Sequence, residues 1–187
     1  MSLFHSDAFL AFRSRDFSLL SVNQLCLILT IMIQEVVIAY SIYQLTQNPL
    51  SLGMIALIEL LPFICLSLIS GDWADRYNRQ KIVQWSFSCS TLIPLLFIVL
   101  FSQYQQQHIQ QNTLLCGIYS LIFCLGILRG IYSPSFNSLR PFLTPESAYS
   151  NAATWTALIW QMGGILAPLC AGLLLSQLGL EKTLFIV

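Results

Sequence analysis

Between Leu19 and Ser176 the chain passes through five apolar runs of membrane length, joined by short polar segments. They extend from Leu19 to Leu45, Leu50 to Ser70, Ile82 to Phe101, Thr113 to Ser133 and Ala152 to Ser176, and a sixth begins near Thr183. A bilayer core takes about 20 mostly apolar residues per helix. The reading is therefore an all-α membrane protein with five transmembrane helices and the start of a sixth. Composition agrees: 9% of the residues are charged, against about 25% in a soluble domain. The first span is too long for a signal-peptide core, and no small-residue cleavage pattern follows it. Residues 1–18, with the aromatic and basic stretch from Phe9 to Arg15, are expected to lie along the cytoplasmic membrane interface. Residues 19–187 are expected to form one transmembrane bundle.

Several function classes drop out early. The formal net charge is zero, which argues against nucleic acid as a partner. The cysteines, Cys26, Cys65, Cys89, Cys116, Cys124 and Cys170, all fall inside apolar runs without a Cys-x-x-Cys pair, and His5 and His108 stand alone. They read as small buried hydrophobes rather than a disulfide framework or metal site. No paired catalytic carboxylates, histidine cluster or nucleophile with its base is present, so the reading is not an enzyme. No cofactor or metal is expected.

Orientation comes from the loops. Arg13 and Arg15 precede the first span, Arg76, Arg79 and Lys81 separate the second from the third, and Arg140 separates the fourth from the fifth. The opposite loops, Thr46 to Pro49 and Gln103 to Asn112, hold no Lys or Arg, and Lys182, beside Glu181, is alone on that side. The positive-inside rule then places the N-terminus in the cytoplasm and the Gln-rich loop outside.

Three charges lie where lipid should be: Glu35 in the first span, Glu59 in the second and Arg129 in the fourth. Each costs about 2.5–3.5 kcal/mol at a helix centre on insertion scales, so each needs a reason. Residue counting puts both glutamates near mid-depth and Arg129 nearer the cytoplasmic end. In the first span Asn23, Thr30, Gln34 and Ser41 make a polar stripe bordered by Gln24 and Glu35. Such a stripe either lines a water-filled cavity or joins helices by hydrogen bonds. The candidate cargo and proton pathway is Glu35, Gln34, Glu59 and Arg129. Arg129 can instead snorkel to the headgroups.

Small residues form a second pattern. In the fifth span Gly163, Ala167 and Ala171 recur every four residues, with Gly164, Pro168 and Gly172 one step behind. Gly126, Gly130 and Ser133 make a similar stripe in the fourth, ending at Pro134. Small stripes let neighbouring backbones approach closely. Pro62 and Pro168 favour bends.

The segment from Gly71 to Lys81 resembles the loop signature Gly-x-Leu-Ala-Asp-Arg-x-Gly-Arg-Lys of the major facilitator superfamily. Gly71, Ala74, Asp75, Arg76 and Arg79 match; Trp73 replaces Leu, Asn78 the second Gly and Gln80 the Lys, with Lys81 one step later. Asn tolerates the left-handed backbone that the glycine often supplies. Arg129-Gly130 resembles the family's intramembrane arginine motif, at a shorter spacing. Gly163, Ala167, Pro168, Ala171 and Gly172 resemble the helix-five motif associated with exporters, with Ala for Gly twice. Within the family, Gln34-Glu35-Val36, the run from Tyr43 to Thr46, that from Pro49 to Gly53 and Glu59-Leu60-Leu61-Pro62 are similar to the branch containing the enterobactin exporter and macrolide efflux proteins. Pro134, Leu139, Pro141, Pro145 and Asn151-Ala152 continue that pattern.

The resemblance implies a proton-driven exporter of a siderophore or drug-like small molecule in the bacterial cytoplasmic membrane. It implies that the Asp75 and Arg79 loop latches two halves in one conformation. It also implies two six-helix halves with the substrate site between them. The chain accounts for an N-terminal half ending at the start of a sixth helix, so the reading expects a truncated transporter, missing its C-terminal half and inactive alone. The competing reading is a non-transporting membrane scaffold or an inactive remnant of a split gene.

Overall fold

The computed structural model describes residues 11–143 and 149–186, apart from the side chains of Arg13, Asp16, Ala74, Asp75, 139–143 and Glu181. After a 3-10 turn at Ala11–Arg13 come six helices: α1 (Arg15–Thr46), α2 (Leu50–Arg76), α3 (Arg79–Ser90), α4 (Leu92–Gln105), α5 (Gln111–Leu143) and α6 (Tyr149–Ile186). Five spans in them are long and apolar enough to cross a membrane, α3 and α4 together making the third. The helical reading holds, and the protein is an integral membrane protein. The helices overrun the apolar runs because polar residues also satisfy their backbone groups internally once a helix is nucleated.

Local chemistry sets the boundaries. Ser14 Oγ accepts from Phe17 N–H at 3.2 Å and caps α1. At its other end Gln47 takes a left-handed conformation (φ 50°), and its N–H returns to the Tyr43 carbonyl. The segment from Gly71 to Lys81, read as a loop, is mostly helix: α2 carries through Arg76 and α3 begins at Arg79. Only Tyr77 and Asn78 turn. Asn78 is not left-handed; its backbone is extended (φ −67°, ψ 107°), and Oδ1 accepts from Gln80 and Lys81 N–H. Asn78 acts here as a helix cap and takes no positive φ.

The third span is one continuous run in the sequence but two helices in the fold. Pro94 has no N–H for the Ser90 carbonyl, and Thr91 Oγ1 donates to the Ser88 carbonyl at 2.8 Å, so the ladder breaks near Thr91. In α6 the break falls at Gly179 (φ 74°, ψ 179°), a conformation suited to glycine. The short stretch after it packs Thr183 and Leu184 into the bundle. The helix of the fourth span continues past Ser133, since α5 runs on to Leu143.

Two close helix pairs organise the bundle, α2 with α5 and α1 with α6. Glycine makes the first possible. Gly126 lies against the Glu59 carbonyl and Pro62, and a Cβ at Gly130 would stand 2.9 Å from Leu66 Cβ and 3.0 Å from the Phe63 carbonyl. Ser70 Oγ donates to the Gly130 carbonyl at 2.6 Å across this contact. In α6, Gly163 faces Ile28 of α1, and Ala167 and Ala171 are fully buried.

The apolar core fills one half of the bundle. Ile33, Val37 and Ile42 of α1, Phe97 of α4 and Leu114, Ile118 and Ile122 of α5 meet there with Ala167 and Ala171. This half adjoins the 106–110 turn. The described part of the N-terminal segment docks at the opposite end. Ala11 N–H donates to Asn151 Oδ1 at 3.1 Å, and the Phe12 ring stands edge-on to Phe17 and Trp155. The remainder of that segment lies outside the described residues.

Candidate functional site

Arg129 joins three helices. Its Nη2 lies 2.6 Å from Glu35 Oε1 of α1, and its Nη1 pairs with Glu59 Oε1 of α2. Glu59 Oε1 is buried and held by this charge pairing without an aligned hydrogen bond. Residue counting places Arg129 nearer the cytoplasmic end and leaves it either on the candidate pathway or snorkelling to the headgroups. The fold instead brings its guanidinium between both carboxylates, because a planar fork with two paired carboxylates loses less on burial than a lone charge. The Arg129 and Glu59 side chains are 22% and 16% exposed, while Glu35 is 44% exposed.

That exposure opens onto a cleft of about 570 Å³, which occupies the half of the bundle that the apolar core leaves unfilled. Each wall is one helical face. On α1 it includes Gln24, Ile28, Ile31 and Glu35; on α2, Ala56, Glu59, Leu60 and Phe63; on α5, Arg129, Tyr132, Ser133, Phe136 and Asn137. The spacings of three and four residues are those of a single stripe on each helix. Phe87 of α3 and Trp160 of α6 complete the wall.

The polar stripe of the first span divides. Its border residues, Gln24 and Glu35, face the cleft. Its centre does not: Gln34 and Ser41 are buried, and Ser41 Oγ is satisfied locally by the Val37 carbonyl at 2.7 Å. Gln34 lines a small side cavity with Glu35, Glu59, Ser90 and Tyr132. Its Nε2 has no partner there, and neither does Gln24 Nε2 beside the main cleft. Tyr132, Phe136, Phe63, Phe87 and Trp160 do not stand out in the sequence. For the first two a signal was present, since they follow Arg129 at three and seven residues on the same helical face.

The remaining candidates lie elsewhere. Gly71, Arg76 and Arg79 sit at the α2–α3 turn, far along α2 from Glu59. Arg76 Nε pairs with Asp72 Oδ1 at 2.8 Å within one turn of helix, and both are exposed. The Asp75 side chain is outside the described residues. In α6 the two small stripes face different ways: Gly163 and Ala167 pack inward, whereas Gly164, Pro168 and Gly172 are exposed on the outer surface. No Cβ at Gly164 or Gly172 would meet a neighbour within 4 Å.

The family model described as Major Facilitator Superfamily matches residues 20–187. The Staphyloferrin A transporter of Staphylococcus aureus is 25% identical over 129 residues, which cover 69% of this chain and 31% of that protein. The uncharacterized MFS-type transporters YkuC and YfiS of Bacillus subtilis are 25% and 23% identical, over 67% and 80% of this chain and 27% and 33% of theirs. The chain thus spans about a third of the length of these curated relatives. No solved structure matches.

Proposed function

The chain belongs to the Major Facilitator Superfamily, and from that premise we propose that it forms the N-terminal bundle of a proton-driven exporter of small molecules. The observation that carries this reading is the Glu35–Arg129–Glu59 network on the wall of a cleft. Helix joining alone would not need an ionic cluster that borders open space. Ionisable groups at membrane depth mark cargo and proton pathways when they face a cavity. In this reading Glu35, the most exposed of the three, exchanges a proton or contacts cargo, while Glu59 and Arg129 hold it in place.

The proposed setting is the bacterial cytoplasmic membrane, with the N-terminus and the Tyr77–Asn78 turn in the cytoplasm. Arg15, Arg76, Arg79 and Lys81 on that side support it. The cleft then opens toward the cytoplasm and the apolar core closes the external side. Gly71, Asp75, Arg76 and Arg79 are proposed to bias the alternation between conformations rather than to touch cargo. The outer face of α6, with Gly164, Pro168 and Gly172, is proposed to meet a second half.

The test is export by a complete transporter carrying these helices, with and without a proton gradient. Glu35→Gln is expected to abolish gradient-driven export while protein remains in the membrane. Full gradient-driven export by that variant would reduce Glu35 to a helix-joining residue.

A further inference from the structure

We propose that the cleft selects an amphiphilic organic monocation, an apolar or aromatic body bearing one positive charge; this rests on the reading of the cleft as a cargo site. The first ground is charge. Among the described residues that line the cleft, the charged groups are Glu35, Glu59 and Arg129. With all three ionised, two carboxylates face one guanidinium and one negative charge is left over. Both terminal nitrogens of Arg129 are already committed, Nη2 to Glu35 and Nη1 to Glu59. An anionic cargo would have to break one of these pairs to reach the guanidinium, and would leave a carboxylate unpaired at low dielectric. A cation needs no such exchange. Glu35 is the more exposed carboxylate and presents the excess charge.

The second ground is the wall. Phe63, Phe87, Tyr132, Phe136 and Trp160 come from four helices to surround the same space. Aromatic faces attract cations, most strongly where water is displaced. A wall so rich in rings also discriminates against a small metal ion, which needs a shell of oxygens. The cleft volume, about 570 Å³, suits a drug-sized molecule.

Tetraphenylphosphonium and tetraphenylborate have nearly the same shape and opposite charge, so they isolate this claim. Equilibrium binding of each is measured to the full chain in lipid nanodiscs, with partition into empty nanodiscs subtracted. Saturable binding of the phosphonium and none of the borate is expected. Glu35→Gln is expected to weaken the phosphonium by about tenfold or more, the scale of losing a charged partner, and Glu35→Asp to retain most of it. Trp160→Leu, at a half-exposed position, leaves the ionic network intact and is expected to weaken it roughly two- to fivefold. Borate binding as tight as phosphonium binding, or phosphonium binding indifferent to Glu35→Gln, overturns the proposal. Saturable borate binding that Glu35→Gln alters would overturn the cation class but keep the cleft as a cargo site. Absence of saturable binding by either ion overturns the cation class, and gradient-driven export then judges the transport reading separately.

Discussion

Helix α5 passes through two environments that share a backbone and little else. From Leu114 to Leu125 its inward residues are apolar and buried against Ile33, Val37 and Phe97. From Arg129 to Asn137 the inward face carries a guanidinium, a phenol, a hydroxyl and an amide along an open cleft. The same division runs through α1, where Val37 and Ile42 are fully buried and Gln24 and Glu35 border the cleft. One half of the bundle is cohesive because it can be packed dry. The other leaves open space lined by polar as well as apolar groups. The Glu35–Arg129–Glu59 network stands at the boundary, so it answers to both: it ties three helices together and faces the open space.

The largest expected effect comes from breaking that boundary. Arg129→Leu leaves Glu35 and Glu59 beside each other without their shared cation. A loss of about 3–5 kcal/mol is expected, the usual cost of stranding partners of a buried ion pair. Equilibrium unfolding in mixed detergent micelles measures it. A loss below about 1 kcal/mol would mean that solvent already screens the cluster.

Alanine at two glycines separates the packed helix face from the open one. At Gly130 the new methyl meets Leu66 Cβ at 2.9 Å and the Phe63 carbonyl at 3.0 Å. A destabilisation of about 1–3 kcal/mol is expected from overpacking the α2–α5 contact. At Gly172 nothing lies within 4 Å, and alanine is expected to stabilise the helix by about 0.5–1 kcal/mol. The same micelle titration compares the two. Equal effects would contradict the separation of an inward-packed face from an open one.

The smallest effect is expected at the α2–α3 turn. Asp72 pairs with Arg76 inside one helix, and the two side chains are 56% and 71% exposed. Asp72→Asn should change stability by no more than about 0.5 kcal/mol, because exposed pairs of this kind gain little against solvent. A larger loss would show that the turn is held against something beyond its own helix.

These contrasts explain which parts of the molecule the sequence could disclose. Apolar length found the five spans, because lipid penalises any other way of satisfying the backbone. It could not find the break at Thr91, where Pro94 and a threonine hydroxyl compete with the helix ladder inside an apolar run. Charge density drew attention to the segment from Gly71 to Lys81, yet its described ion pair is local and exposed. Glu35, Glu59 and Arg129 stood alone in apolar surroundings, and the fold brings them together. The aromatic wall was less legible. Phe87 and Trp160 join it through the packing of α3 and α6, and no period within one helix encodes that meeting. The polar stripe of α1 was visible, but its border rather than its centre faces the cleft.

Glu35 and Glu59 are expected to border an aqueous cleft rather than a dry helix contact. Ala56 and Leu57 are neighbours on α2; Ala56 lines the cleft, and Leu57 is exposed outside it. The direct measurement places a single cysteine at each in turn, in a form free of native cysteines, and follows reaction with a small hydrophilic thiol reagent in membranes. Rapid labelling is expected at Ala56→Cys, slowed by tetraphenylphosphonium, and little labelling at Leu57→Cys. An unreactive cysteine at position 56, or equal labelling at both positions, would contradict it.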